Sequence, residues 1–197
     1  YASWMDKYRD TPEFRNVEHV SYVDADMQLV DTLRKGKTNC VVELMHAIDR
    51  LKDYRNMSDS LVRLNLMYVI HIVGDMHCPS HVKYPGCKSG RADLNGKKMS
   101  YHAMWDWGVL DGAHGWSYSE YRLLLDTFSK REKAGMAKGT PREWLYETAV
   151  ACRVIYDWQR ADGTYGKQFV TDTYLLPERQ LILASYRLAA VLNDLFG

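Results

Sequence analysis

The chain has 197 residues, of which 46% are hydrophobic, enough for one domain with its own core. Its 26 basic and 25 acidic residues leave a net charge of +1, which argues against a general polyanion binder and requires any nucleic-acid partner to be held at a local site. It holds no apolar run long enough to span a bilayer, and its four cysteines (Cys40, Cys78, Cys87, Cys152) lack the CxxC spacing of a zinc ribbon.

Residues 1–10 form a short helical pattern carrying Asp6 and Arg9, broken by Thr11-Pro12. Residues 16–26 are β-branched and loop-like, hold His19, and end in Tyr22-Val-Asp-Ala-Asp26; residues 27–38 are a polar connection. Residues 40–51 have helical apolar spacing. Ser58 is placed to cap a long central helix over about 59–78, stopped by Pro79. Residues 82–100, rich in Gly, Lys and Ser, read as a long loop. A helix over 101–107, capped by Ser100, ends near Gly108. Further amphipathic helices are expected over 118–134 and 142–161, and a last one from Pro177 to Leu195, with Ala184, Tyr186, Leu188 and Leu192 facing the core. No strand alternation or repeat is evident, so the expectation is an all-α, single-domain chain (residues 1–197) of about seven helices.

The central segment Tyr68-Val-Ile-His-Ile-Val-Gly-Asp-Met-His-Cys-Pro-Ser-His81 carries most of the chemistry. His71 and Asp75 are four apart, so a helix puts them on one face, a compact arm for a borderline cation such as zinc. His81 lies just past the proline, where the chain can turn back. His102 and Asp106 repeat the His/Asp spacing, and Asp6 and His19 lie upstream. Either pair alone is more often structural. Together, with Asp75 set in an apolar helix where an unpartnered carboxylate is costly, they point to a metal centre.

The run His71-x-x-Gly-Asp75-Met-His-x-Pro-x-His81 followed by His102-x-x-Trp-Asp106 resembles the zinc-dependent single-strand nucleases of the S1/P1 type, related in fold to bacterial zinc phospholipase C. Ser3-Trp-Met-Asp6-x-x-Arg9 and Ala184-Ser-Tyr-Arg-Leu-Ala-Ala-Val-Leu192 extend the resemblance in collinear order from Ser3 to Phe196. It implies an all-α fold in which Asp6, His19, His71 and Asp75 hold one zinc, and His81, His102 and Asp106 a second. A third zinc would share Asp75, with its other ligands at the family's mature N-terminus; the chain enters that pattern a few dozen residues in, so it is expected to be N-terminally incomplete, with up to two of three sites complete. The implied reaction is hydrolysis of single-stranded DNA or RNA and of 3′-nucleotides to 5′-phosphate products by metal-activated water. Arg9 would contact the phosphate, and Asp24 would be its acidic partner, displaced by two positions from the family pattern. The resemblance also implies a secreted or periplasmic location; a monomer is expected, and no protein partner is implied.

Val20 stands where the fungal members have a base-stacking Phe, and Tyr22 is the candidate replacement. Asn95 ends a loose match to the family's glycine-rich substrate loop. Cys78 stands where Gln is usual; ligating zinc, pairing with Cys87 and a buried free thiol are all open. His77 points off the ligand face, while His46 and His114 read as structural or exposed. Two other readings stand beside the nuclease: a phospholipase C-like hydrolase, and an inactive all-α metal-binding protein.

Overall fold

The computed structural model describes residues 3–197; Tyr1 and Ala2, the start of the first expected helix, lie outside the described residues. Helix α1 spans Trp4–Tyr8 and strand β1 spans Ser21–Tyr22. Then follow α2 (Cys40–Leu51), α3 (Asp59–Asp75), a 3₁₀ turn Pro79–His81, β2 (Val82–Lys83), and the strands β3 (Arg91–Leu94) and β4 (Lys97–Ser100). Helix α4 (Tyr101–Ala103) runs through a π turn, Met104–Gly108, into α5 (Val109–Ala113). The remainder is α6 (Tyr118–Leu125), α7 (Lys130–Met136), α8 (Pro141–Cys152), β5 (Thr164–Tyr165), α9 (Lys167–Thr173) and α10 (Leu175–Phe196). The fold is all-α in class, with small strands serving the site.

Helix α3 is the central element, packed against α1, α2 and α10. Its Tyr68, Val69, Ile72 and Val73 bury into the larger of two apolar clusters with Leu44 of α2 and Leu145 of α8. The smaller cluster gathers Leu94, Tyr101, Trp105, Tyr165 and Phe169. The fully buried Asn39 secures α2: its carbonyl oxygen accepts from Val41 N–H at 3.3 Å, while its amide donates to the carbonyls of Tyr22 (2.9 Å) and Val30 (3.0 Å). One side chain thus caps a helix and ties down the loop beyond β1.

Several sequence expectations are corrected. Residues 82–100 are not a simple loop. Asn95 and Gly96, at φ 54° and 86°, make the tight turn of a hairpin whose register pairs Arg91 with Ser100 and Leu94 with Lys97. Asn-Gly suits such a turn because both positions need positive φ. The expected 118–134 helix is two helices, because Ser129 and Glu132 form a capping box that starts α7. The 142–161 helix stops at Cys152 and tightens to 3₁₀ over Arg153–Tyr156, and the central helix stops at Asp75 rather than near Cys78. Helix α9 was not expected. The last helix begins at Leu175, since Pro177 is tolerated in a first turn, where its missing N–H has no intrahelical duty. Within it Ala184 is buried as expected, but Tyr186, Leu188 and Leu192 are only half-buried; the Tyr186 hydroxyl donates to Asp126 at 2.6 Å. The deeply buried position is instead Arg187.

Arg187 joins α10 to the end of α3. It pairs with Glu147, donates to the Met136 carbonyl at 3.2 Å, and donates to His77 Nε2 at 2.8 Å. The other nitrogen, His77 Nδ1, donates to the Val73 carbonyl at 2.7 Å. His77 is therefore neutral. Burial, only partly opposed by the Val73 carbonyl and reinforced by the Arg187 charge, lowers its pKa from 6.5 to about 4. Its contribution is full above the unfolded-state value and is lost as pH falls toward the folded one. In metal-free buffer, the wild-type protein should lose about 2 kcal/mol more stability between about pH 7 and pH 5 than His77→Gln does, measured by urea unfolding. Equal losses in the two proteins would contradict a neutral, buried His77.

Candidate metal centre

The site is assembled around the exit of α3. His71 and Asp75, one turn apart, place Nε2 and Oδ2 at 3.1 Å. The chain then turns at Cys78-Pro79, with His81 N–H bonded to the Cys78 carbonyl at 3.0 Å. This return brings His81 Nδ1 to 3.0 Å from the same Asp75 oxygen. The parallel pairing of β1 with β2, Ser21 beside Val82 and Tyr22 beside Lys83, fixes the exit, and Ser21 Oγ donates to the His81 carbonyl at 3.1 Å.

Two further segments close the site. His19, in the loop before β1, lies with Nδ1 at 3.2 Å from Asp6 Oδ1 of α1, its ring edge-on to His71 at 6.1 Å. On the other side, the π turn presents Asp106, whose Oδ1 is 3.5 Å from His81 Nε2. π turns add a residue to a helical turn and often occur at functional sites. Two donor triads result, each with ligand atoms mutually within 4.8 Å: Asp6, His19 and His71; and Cys78, His81 and Asp106. Asp75 belongs to neither triad but touches a histidine of each.

The electrostatics follow from this sharing. Burial would raise the Asp75 carboxyl, but His71 and His81 outweigh it and hold the group far below the usual carboxylate range. For His81, burial works against the proton, yet Asp106 and Asp75 lift its pKa to about 9. Burial pushes His19 down despite Asp6, and pushes His102 down with help from the His81 charge. His81 holds Asp106 down, with burial opposing. Burial pushes the Cys78 thiol up, and Asp106 adds to this.

These residues fit a divalent cation on their own geometry. Among the described residues, both ring nitrogens of His19, both of His81 and Asp75 Oδ2 are buried without a properly aligned hydrogen bond, although His19 Nδ1, both His81 nitrogens and Asp75 Oδ2 have a polar neighbour 3.0–3.5 Å away. Donor atoms that approach without pointing at one another converge on a common centre, and imidazole with carboxylate is a zinc-compatible donor set.

The sequence-expected residues divide accordingly. Asp6, His19, His71, Asp75, His81 and Asp106 are brought together. His102 is adjacent but outside both triads: its ring stacks on His81 at 4.6 Å between centroids, 16° from coplanar. Arg9, exposed at the end of α1, acts electrostatically on His19. Asp24 is not a partner of Arg9 among the described residues; its carboxylate accepts the N–H groups of Asp26 and Gln28, both at 2.9 Å, shaping the turn in which Met27 takes φ 63°. Asn95 makes the hairpin turn, which accounts for its place without a ligand. Tyr22 is half-buried in β1. All four cysteines are free thiols, so Cys78 and Cys87 are not paired. Cys78 and Lys83 are the additions. Cys78 stood open in the sequence, and Lys83, whose charge reaches His102, gave no signal until β1 and β2 paired. Trp105 packs behind the site against Trp158, and His114 bonds Glu178 at 2.8 Å.

A helical frame with a histidine–carboxylate centre at the exit of its central helix defines the class. The S1/P1 Nuclease family model matches residues 1–197, and the chain belongs to that family. Similar proteins include Endonuclease 4 of Arabidopsis thaliana, 25% identical over 96% of this chain and 69% of its own length. Endonuclease 2 of Arabidopsis thaliana is 27% identical over 82% of this chain and 63% of its own. Nuclease S1 of Aspergillus oryzae is 28% identical over 73% of this chain and 53% of its own.

Because Asp75 touches a histidine of each triad, Asp75→Asn should lower bound zinc by at least one equivalent and weaken what remains. Elemental analysis after gel filtration measures this, and undiminished zinc in the variant would remove Asp75 from the centre.

Proposed function

We propose that this chain carries the catalytic centre of a zinc-dependent phosphodiesterase that hydrolyses single-stranded DNA or RNA and 3′-nucleotides, leaving 5′-phosphate products. The observation that carries the reading is the pair of donor triads joined through Asp75. Asp6, His19, His71 and Asp75 would hold one zinc; His81, Asp106 and the adjoining His102 would serve a second. Zinc so bound supplies Lewis-acid charge and acidifies water near neutral pH. A third zinc, expected by resemblance, would draw on Asp75.

The chain's own residues supply the rest. Asp75, ionised over the whole working range, keeps the centre anionic and its neighbouring imidazoles oriented. Arg9, in no ion pair among the described residues, offers its guanidinium to a phosphate oxygen beside the first triad. Lys83, beside Tyr22, offers a second cation near His102, and Tyr22 a ring edge for a base. Asp24 and Asn95 shape local turns and are the further candidates, Asp24 for the acidic partner of Arg9 and Asn95 for a substrate contact. The family resemblance supports an exported monomer. Among the described residues, no helix is long and apolar enough to cross a membrane.

The test uses the zinc-loaded, full-length protein on single-stranded DNA, duplex DNA, a 3′-nucleotide and phosphatidylcholine. Single strands should be cleaved much faster than duplex, and chelation should abolish cleavage. Arg9→Ala should lower kcat/KM on the order of 10²-fold with zinc content unchanged. Hydrolysis of phosphatidylcholine alone would make the protein a phospholipase, and bound zinc with no hydrolysis would make it a binding protein.

A further inference from the structure

The second triad contains a donor that the family pattern does not supply. Cys78 Sγ lies 3.6 Å from Asp106 Oδ1, 3.4 Å from Ser80 Oγ and 3.9 Å from the Trp105 carbonyl. It is the only sulfur in a group whose three donor atoms lie within 4.8 Å of one another. A second observation points the same way. His81, 8% exposed, has both ring nitrogens buried without an aligned hydrogen bond among the described residues, and its Nε2 stands 3.5 Å from the Asp106 oxygen that Cys78 approaches. The position is imposed by the backbone. Cys78 leads into Pro79, its carbonyl accepts from His81 N–H, and the π turn sets Asp106 opposite.

His102, by contrast, is turned parallel to His81 and lies outside the triad. A ring stacked on a ligand is well placed to orient it.

We propose that Cys78 is a metal ligand: its thiolate, with His81 Nε2 and Asp106 Oδ1, holds the second cation. The inference rests on the metal-centre reading above and changes the chemistry of one site within it. On binding, the S–H bond breaks, the proton leaves to solvent, and the sulfur lone pair forms the bond to the cation; no oxidant or reductant is involved. A site with one thiolate is softer than an all-nitrogen-and-oxygen site. It should therefore favour zinc and cadmium over magnesium or manganese, and become sensitive to thiol oxidation. The first triad, with no sulfur, should keep the harder preference.

X-ray absorption of the zinc-loaded, full-length protein tests this without a variant. The expected result is a sulfur scatterer at about 2.3 Å beside the nitrogen and oxygen shell. It should persist in Cys87→Ser and vanish in Cys78→Ser, along with the near-ultraviolet sulfur-to-cobalt band of the cobalt-substituted protein. Bound zinc with a pure nitrogen and oxygen shell would overturn the proposal and leave the metal centre standing. So would a sulfur signal that survives in Cys78→Ser. Failure of the wild-type protein to bind zinc at all would overturn the metal-centre reading itself, and the proposal with it. Should Cys78→Ser fail to fold, the wild-type and Cys87→Ser spectra still decide.

Discussion

One carboxylate oxygen governs this molecule. Asp75 Oδ2 stands about equally far from His71 and His81, at 3.1 and 3.0 Å, and its burial makes a negative charge tolerable only because both imidazoles face it. Both neighbours owe their places to the same helix end. His71 is one turn back, and His81 returns over the Cys78-Pro79 break. The geometry therefore demands that α3 stop where it does. A helix continued through Cys78 would carry His81 away and leave a buried charge with half its support.

The rest of the fold holds that helix end still. Arg187 reaches from α10 to His77, two residues past Asp75, and is itself held by Glu147 and the Met136 carbonyl. On the opposite side the β1–β2 pair clamps the exit strand, and Asn39 ties the adjoining loop to α2. The longest of these contacts, Arg187 to His77, joins positions 110 residues apart in the chain. The ligand geometry is thus secured by tertiary structure, and preorganisation of this kind keeps donor atoms converged where a cation can use them.

Much of this was legible in the sequence, and the parts that were not share a cause. Helical periodicity revealed α2 and α3, and the i, i+4 pair of His71 and Asp75 needed no tertiary information. The hairpin was missed although Asn95-Gly96 is a strong turn signal, because the flanking strands are short and charged rather than alternating. A displaced motif position could not reveal that Asp24 Oδ1 also accepts two local backbone N–H groups. The stacked attitude of His102 and the closeness of Cys78 to Asp106 depend on a π turn, which periodicity at 3.6 residues does not register. Arg187 was passed over as one polar residue on an amphipathic helix; its burial depends on His77 and Glu147 lying across from it.

The π turn has a consequence for how this site tolerates change in chain length. Gly108 closes the turn with almost no room: a Cβ there would meet Met99 Sδ at 3.0 Å and Leu94 Cδ2 at 3.2 Å, both from the hairpin. The extra residue in the turn is therefore locked in by side chains from β3 and β4. Each residue of an α-helix rotates the chain by about 100°, so deleting one residue between Met104 and Gly108 would restore α geometry and swing Asp106 out of line with His81. The hairpin thus serves as a phase setter for an acidic donor in the neighbouring turn.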